Sequence, residues 1–273
     1  MRVAALAAAA AIAAGTPVGY LQGRQGPSGG FAEPGGNPSP QLTAWAVLGL
    51  RAAGAKLSPA TLDYLFAHED TLADVTDAEL VATAESVLGH RPERLLARIK
   101  ALGHANGRIG PTVNSTIWGV LALRQAGEPA PRASVRFILR HQARSGGWSW
   151  LAGGAPDSND TAAAVEGLRS AGVRGTPIRR ALRYLRRLQN ADGGFELTPG
   201  RGSDSQSTAW AIQAFIAAGA RPPAGPTRYL RRMRRHDGSF RYSARYVATP
   251  TWVTAQVLPA LARRAFPLQL ERP

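Results

Sequence analysis

Residues 178–195, IRRALRYLRRLQNADGGF, decide how the chain is to be read. Ile178, Ala181, Leu182, Leu185 and Leu188 recur at helical spacing while Arg179, Arg180, Arg183, Arg186 and Arg187 take the other face, so the stretch is an amphipathic helix with a basic outside. It runs into Gln189 and a Gly193-Gly194-Phe195 turn. The next block, residues 209–218, is apolar nearly all round, which marks a helix buried on several sides. Thr208-Ala-Trp210 opens that block, and Gly219 stands where a left-handed C-terminal residue is expected.

The same unit recurs along the chain. The aromatic-aliphatic pair, the Gln and the Gly-Gly-aromatic turn return as Tyr20-Leu21, Gln25 and Gly29-Gly30-Phe31, and as Phe137-Ile138, Gln142 and Gly146-Gly147-Trp148. A further copy, Tyr229-Leu230 to Gly238-Ser239-Phe240, has Arg234 where Gln stood. The apolar block recurs from Thr43 and Trp45 to Gly54, from Thr116 and Trp118 to Gly127, and from Thr161 and Ala163 to Gly172. A worn copy spans Ala78 to Gly89, and Thr251-Trp252 to Ala262 ends the series. Ser39-Pro40, Thr112, Asp157, Asp204 and Thr249-Pro250 mark the helix starts. A period of roughly 35 to 47 residues predicts stacked helical hairpins. The expectation is an all-α fold of six helix-hairpin repeats with an inner and an outer ring of helices, an α/α-toroid formed by residues 16–273 as a single domain. A closed ring is favoured because an open solenoid needs polar capping units at its ends.

These residues resemble the QW repeats of terpenoid cyclases and squalene–hopene cyclases, and the whole unit is similar to the prenyltransferase/squalene oxidase repeat, over about residues 19–265. The resemblance implies the toroid; it is weak for activity, because one ring serves many chemistries. Class II cyclases of that family start their reaction with the middle Asp of a D-x-D-D-T motif, and the matching stretch is Asp157-Ser158-Asn159-Asp160-Thr161. Asn159 occupies the proton-donating position, and a carboxamide has no proton to give, so this departure argues against class II cyclase activity. With 0 Cys the chain cannot form the Asp-Cys-His zinc site of protein prenyltransferases, a thioester, a disulfide or a thiolate metal site. His68, His90, His104, His141 and His236 have no paired metal spacing. No metal or cofactor is expected.

Within the repeat, Gln41, Asn114, Asn159 and Gln206 share one offset before the Thr, which suggests an amide serving backbone groups near each inner-helix start. Asp157 and Asp204 read as N-caps. Asp160 replaces Ser115, Ser207 and Leu42 of other units, so it is the candidate catalytic acid or ligand anchor. The candidate ligand-binding residues are Trp45, Trp118, Trp150 and Trp210 with Asp157 and Asn159. The three repeat Trp residues either line a central cavity or pack between the helix layers. Phe31, Trp148, Phe195 and Phe240 read as structural.

The net charge of +15 is almost all Arg, since Lys56 and Lys100 are the only Lys residues. Such an excess suits solvated helix faces or an anionic membrane or wall surface; no nucleic-acid module accompanies it. Met1-Arg2 and the Ala-rich run to Gly15 read as a signal peptide over residues 1–15, which implies a secreted or cell-envelope protein. The alternative is that Ala4 to Ala14 form the first helix of a cytoplasmic protein. The expected function is binding of an apolar or bulky small molecule in the central cavity. The rivals are a cyclase-like or glycan-active enzyme using Asp160 as acid, and an interaction scaffold at the cell envelope.

Overall fold

A computed structural model of the chain describes residues 15–268. The signal-peptide reading of residues 1–15 lies outside them except for Gly15. Among the described residues twelve α-helices alternate between two layers. The outer helices are α1 (Pro17–Gln22), α3 (Ala60–His68), α5 (Glu93–Ala101), α7 (Arg132–Arg140), α9 (Thr176–Arg187) and α11 (Pro226–Met233). The inner helices are α2 (Pro40–Ala52), α4 (Val75–Val87), α6 (Val113–Gln125), α8 (Ser158–Ser170), α10 (Ser205–Ala217) and α12 (Pro250–Leu261). Each inner helix packs on the next, and α12 packs on α2, so the ring is closed. At that junction Gly49 lets the backbones approach: a Cβ there would lie 2.4 Å from the Ala255 carbonyl oxygen. None of the described helices is long and apolar enough to cross a membrane.

The repeated residues hold the layers together. Thr43, Thr116, Thr161 and Thr208 accept the backbone N–H of Phe31, Ile109, Trp148 and Phe195 at 2.9–3.0 Å, tying each turn to the inner helix that follows it. Gln25, Gln142 and Gln189 donate to the carbonyl oxygens of Gly29, Gly146 and Gly193, and reach on to Thr61, Pro177 and Ala224 at the next outer helix. Arg234, in place of Gln, donates to the Gly15 carbonyl across the ring closure. The first Gly of each turn has positive φ and sits against that next helix; at Gly238 a Cβ would lie 2.3 Å from the Thr16 carbonyl oxygen. Phe31, Trp148, Phe195 and Phe240 are buried, as a structural role requires.

Three corrections and one addition follow from the geometry. The last unit is registered on Thr254, which accepts the Phe240 N–H at 3.0 Å, and not on Thr251. Trp252 therefore takes the amide offset and Gln256 the Trp offset. Thr249 does not cap α12; its backbone is left-handed, and the Glu33 carboxylate accepts the N–H groups of Thr251 and Trp252 instead, both at 2.9 Å. The turn segments also form a short antiparallel pair, Phe195–Glu196 with Ser203–Asp204, because chain leaving the turn is extended as it returns to the inner helix. The recurring amides do not serve backbone groups. Gln41 donates to Asp77 at 2.9 Å, Asn114 to Asp160 at 2.6 Å and Gln206 to Gln256 at 2.9 Å, each reaching the next inner helix. Among the described residues the Asn159 side chain accepts only from its neighbour Ser158, at 3.2 Å.

Candidate functional site

The inner helices present their N-terminal ends to one mouth of the ring. Ser39, Thr112, Asp157 and Asp204 cap four of them, accepting N–H groups at 3.2, 2.8, 2.8 and 2.7 Å. Below this mouth the axis is filled by indoles. Trp45, Trp118 and Trp210 meet edge to face, with centroids 5.6–5.9 Å apart and interplanar angles of 83–89°, the arrangement in which ring edges meet ring faces favourably. Phe266 closes the cluster from beneath, 5.9–6.5 Å from the three. The repeat Trp residues thus point to the axis, not between the helix layers.

Above the indoles lies a hollow of about 270 Å³. It opens where the Trp offset carries Ala163, the smallest residue at that position around the ring. The sequence-predicted residues Trp45, Trp118, Trp150, Trp210, Asp157, Asn159 and Asp160 all line it, together with Asn114, Gln206, Trp252 and Gln256, whose parts sequence reasoning missed. Trp150 is half exposed at the rim, and its carbonyl accepts the first N–H groups of α6 from Val113 and Asn114.

One wall is acidic and buried. Asp160 is 5% exposed. Burial first, then the Asp157 charge, pushes its carboxyl from an ordinary 3.8 to about 8, against the Asn114 amide that favours the anion. The two carboxyl groups share a hydrogen bond, and Asp160 is the member whose burial and neighbouring charge favour the protonated form. Burial also raises Asp157, opposed by the hydrogen bonds of its capping role. The opposite wall is neutral and polar. Gln256 Oε1 accepts from Trp210 Nε1 at 2.8 Å and from Gln206 at 2.9 Å, which fixes its amide orientation because indole N–H can only donate. Gln256 Nε2 and Asn114 Oδ1 are then buried without a hydrogen-bond partner among the described residues. The site thus offers a donor and an acceptor above an aromatic floor. Among the described residues no cluster of His, Asp and Glu could hold a metal ion.

The fold is that of the terpene-cyclase α/α-toroid. A protein from Actinoplanes superposes with a TM-score of 0.62 at 21% identity, over 93% of this chain and 99% of that one. The type II terpene cyclase MstE from Scytonema, in its apo form, gives 0.67 at 14% identity, over 93% and 97%. The ent-copalyl diphosphate synthase from Streptomyces platensis gives 0.59 at 19% identity; the match covers 84% of this chain and 52% of the synthase. No protein-family model matches the sequence, and no curated protein does.

Proposed function

We propose that the upper mouth binds a compact, mainly apolar small molecule carrying a hydroxyl group, and that the protein is a terpenoid-cyclase-like QW-repeat toroid without class II cyclase activity. The observation that carries this reading is the buried, unpartnered pair Gln256 Nε2 and Asn114 Oδ1 above the indole floor. Unsatisfied buried polar atoms are costly, and a ligand hydroxyl supplies an acceptor to Gln256 Nε2 or a donor to Asn114 Oδ1. The hollow is at or just below the lower end of the volumes that hold drug-sized ligands, about 300–1,000 Å³, which favours a short terpenoid or aromatic alcohol over a long chain. Asn159 at the proton-donating position argues against alkene protonation. The Ala-rich N-terminus supports export, so the ligand would be met outside the cytoplasm.

Five of the 6 Trp residues line the hollow, so intrinsic fluorescence reports occupancy. Titration with geraniol is expected to change emission saturably, while myrcene, a hydrocarbon of similar size, binds more weakly. Ala163→Trp, which puts the repeat's own side chain into the hollow, is expected to fold and to abolish the response. Equal responses of geraniol and myrcene, or an unchanged response in Ala163→Trp, would overturn the assignment.

A second reading, acid catalysis by Asp160, is favoured by one observation: it lines the hollow as a buried carboxyl beside Asp157, where burial raises it. A proton shared between Asp160 and Asp157 is a weaker donor to substrate. Cyclised product from squalene or oxidosqualene, lost in Asp160→Asn, would establish this reading and displace the first.

A further inference from the structure

The opposite mouth of the ring holds a second hollow, of about 420 Å³, where the C-terminal ends of α6, α8 and α10 meet the segment after α12. Arg124, Arg169, Arg263 and Arg264 line it. Two of these guanidinium groups are clamped. Arg124 donates through Nε to the Ser170 carbonyl at 3.1 Å and through Nη1 to that of Glu128 at 2.9 Å. Arg169 repeats this one unit on, to Ala217 at 3.1 Å and Val173 at 3.0 Å. In both, Nη2 has no partner among the described residues. None of Arg124, Arg169 and Arg263 forms an ion pair among the described residues. Among the described residues one acid lines the hollow, Glu166; it is fully buried, accepts the Phe266 N–H at 2.5 Å, is held well above the usual carboxylate range by burial, and forms no ion pair with the arginines.

Compensation of helix dipoles accounts for part of this cluster. Arg51 stands in the last turn of α2 at the offset of Arg124 and Arg169, away from the hollow, so cations at helix ends belong to the repeat. Arg263 needs another explanation. Five inner helices close on a left-handed glycine, Gly54, Gly89, Gly127, Gly172 and Gly219, with φ between 68° and 89°. The sixth, α12, closes on Arg263 at φ 55°, a conformation that non-glycine residues adopt at a cost. The one closing position that abandons glycine is the one that faces the hollow, and it puts a third guanidinium there.

We propose that the lower mouth is an oxyanion site for a phosphoryl group, gripped by the free Nη2 arms of Arg124 and Arg169 and by Arg263. Two clamped guanidinium groups, each with one Nη2 arm left over, and a third guanidinium beside them suit the several oxygens of a phosphoryl group better than a monovalent halide. The group can be inorganic phosphate or the headgroup of a phosphomonoester lipid, and the two are separable by experiment.

Arg263→Gly is the decisive variant, because it restores the residue the other five units use. It is expected to fold and to raise the melting temperature by relieving the backbone. Calorimetric titration of the full chain with inorganic phosphate, at low ionic strength against matched chloride, is expected to show one saturable site. Arg263→Gly is expected to weaken it by about tenfold or more, the effect of losing one charge-assisted hydrogen bond. Vesicle flotation with phosphatidate against phosphatidylcholine separates the sources. Phosphatidate binding that Arg263→Gly reduces, with no heat from free phosphate, assigns the site to a headgroup. Absence of both, or binding that Arg263→Gly leaves unchanged, would overturn the proposal.

Discussion

Gln41 with Asp77 and Asn114 with Asp160 are the same bond made twice, an amide on one inner helix reaching a carboxylate at the same offset on the next, at 2.9 and 2.6 Å. Asp77 is half-buried in the first turn of α4, and Asp74, the N-cap residue at the offset of Asp157, is exposed and makes no side-chain cap bond. Asp160 is buried next to Asp157, on the wall of the upper hollow, and there its carboxyl is pushed up to about 8. The repeat therefore fixes where the two acids stand, while the depth at which they are buried decides what they can do. Asp160 replaces the Ser115, Ser207 and Leu42 of other units, but with α4 in register it is one of two acids at that offset, and its burial distinguishes it.

Replacing the acids is expected to break the comparison most clearly. A carboxyl raised in the folded state contributes stability that is complete below its unfolded pKa near 4 and is lost as pH rises through the folded value near 8. Asp160→Asn keeps the Asn114 contact and removes this loss. It should stabilise the protein at pH 8 by roughly 2 kcal/mol or more and reduce the fall in stability between about pH 4 and 8. Asp77→Asn should change stability by no more than about 0.5 kcal/mol, as a half-buried helix-end substitution. Denaturant midpoints with unchanged slope at the two pH values measure both.

The amides give smaller effects. Asn114→Ala removes a buried bond to a carboxyl and should cost about 1–2 kcal/mol at pH 7. Gln206→Ala loses a neutral bond to Gln256, about 1 kcal/mol. Asn159→Ala, which breaks only the contact with Ser158, should stay within about 0.5 kcal/mol. Equal losses in all three would restore a common structural role for these amides and remove the distinction drawn here.

Much of this architecture was readable in local sequence because local chemistry dictates it. Ser39, Thr112, Asp157 and Asp204 cap helices through bonds to residues three positions on, and Gly54 or Gly127 ends a helix through its own φ. What escaped reading depends on partners far along the chain. Glu33 caps α12 across the ring closure, so Thr249-Pro250 looked like a sufficient start. Thr251-Trp252 mimicked the Thr and Trp of other units, while the residue that meets Phe240 is Thr254. The indoles could be placed at the axis only after the ring closed. Ala163 carried a readable signal, a small residue where other units bear Trp, but a missing side chain marks a hollow only when its neighbours are known. Phe266 has no counterpart in the repeat, and nothing local indicates that it would seal the indole cluster.

The central claim is that burial beside Asp157 turns a repeated acid into the proton-bearing wall of the upper hollow. Carbon-detected NMR titration of the side-chain carboxyls, comparing the wild type with Asp160→Asn, tests it most directly. One aspartate carboxyl titrating near pH 8, and missing in Asp160→Asn, is the predicted result. A spectrum in which Asp160 titrates below about pH 5, with the ordinary aspartates, would contradict the account.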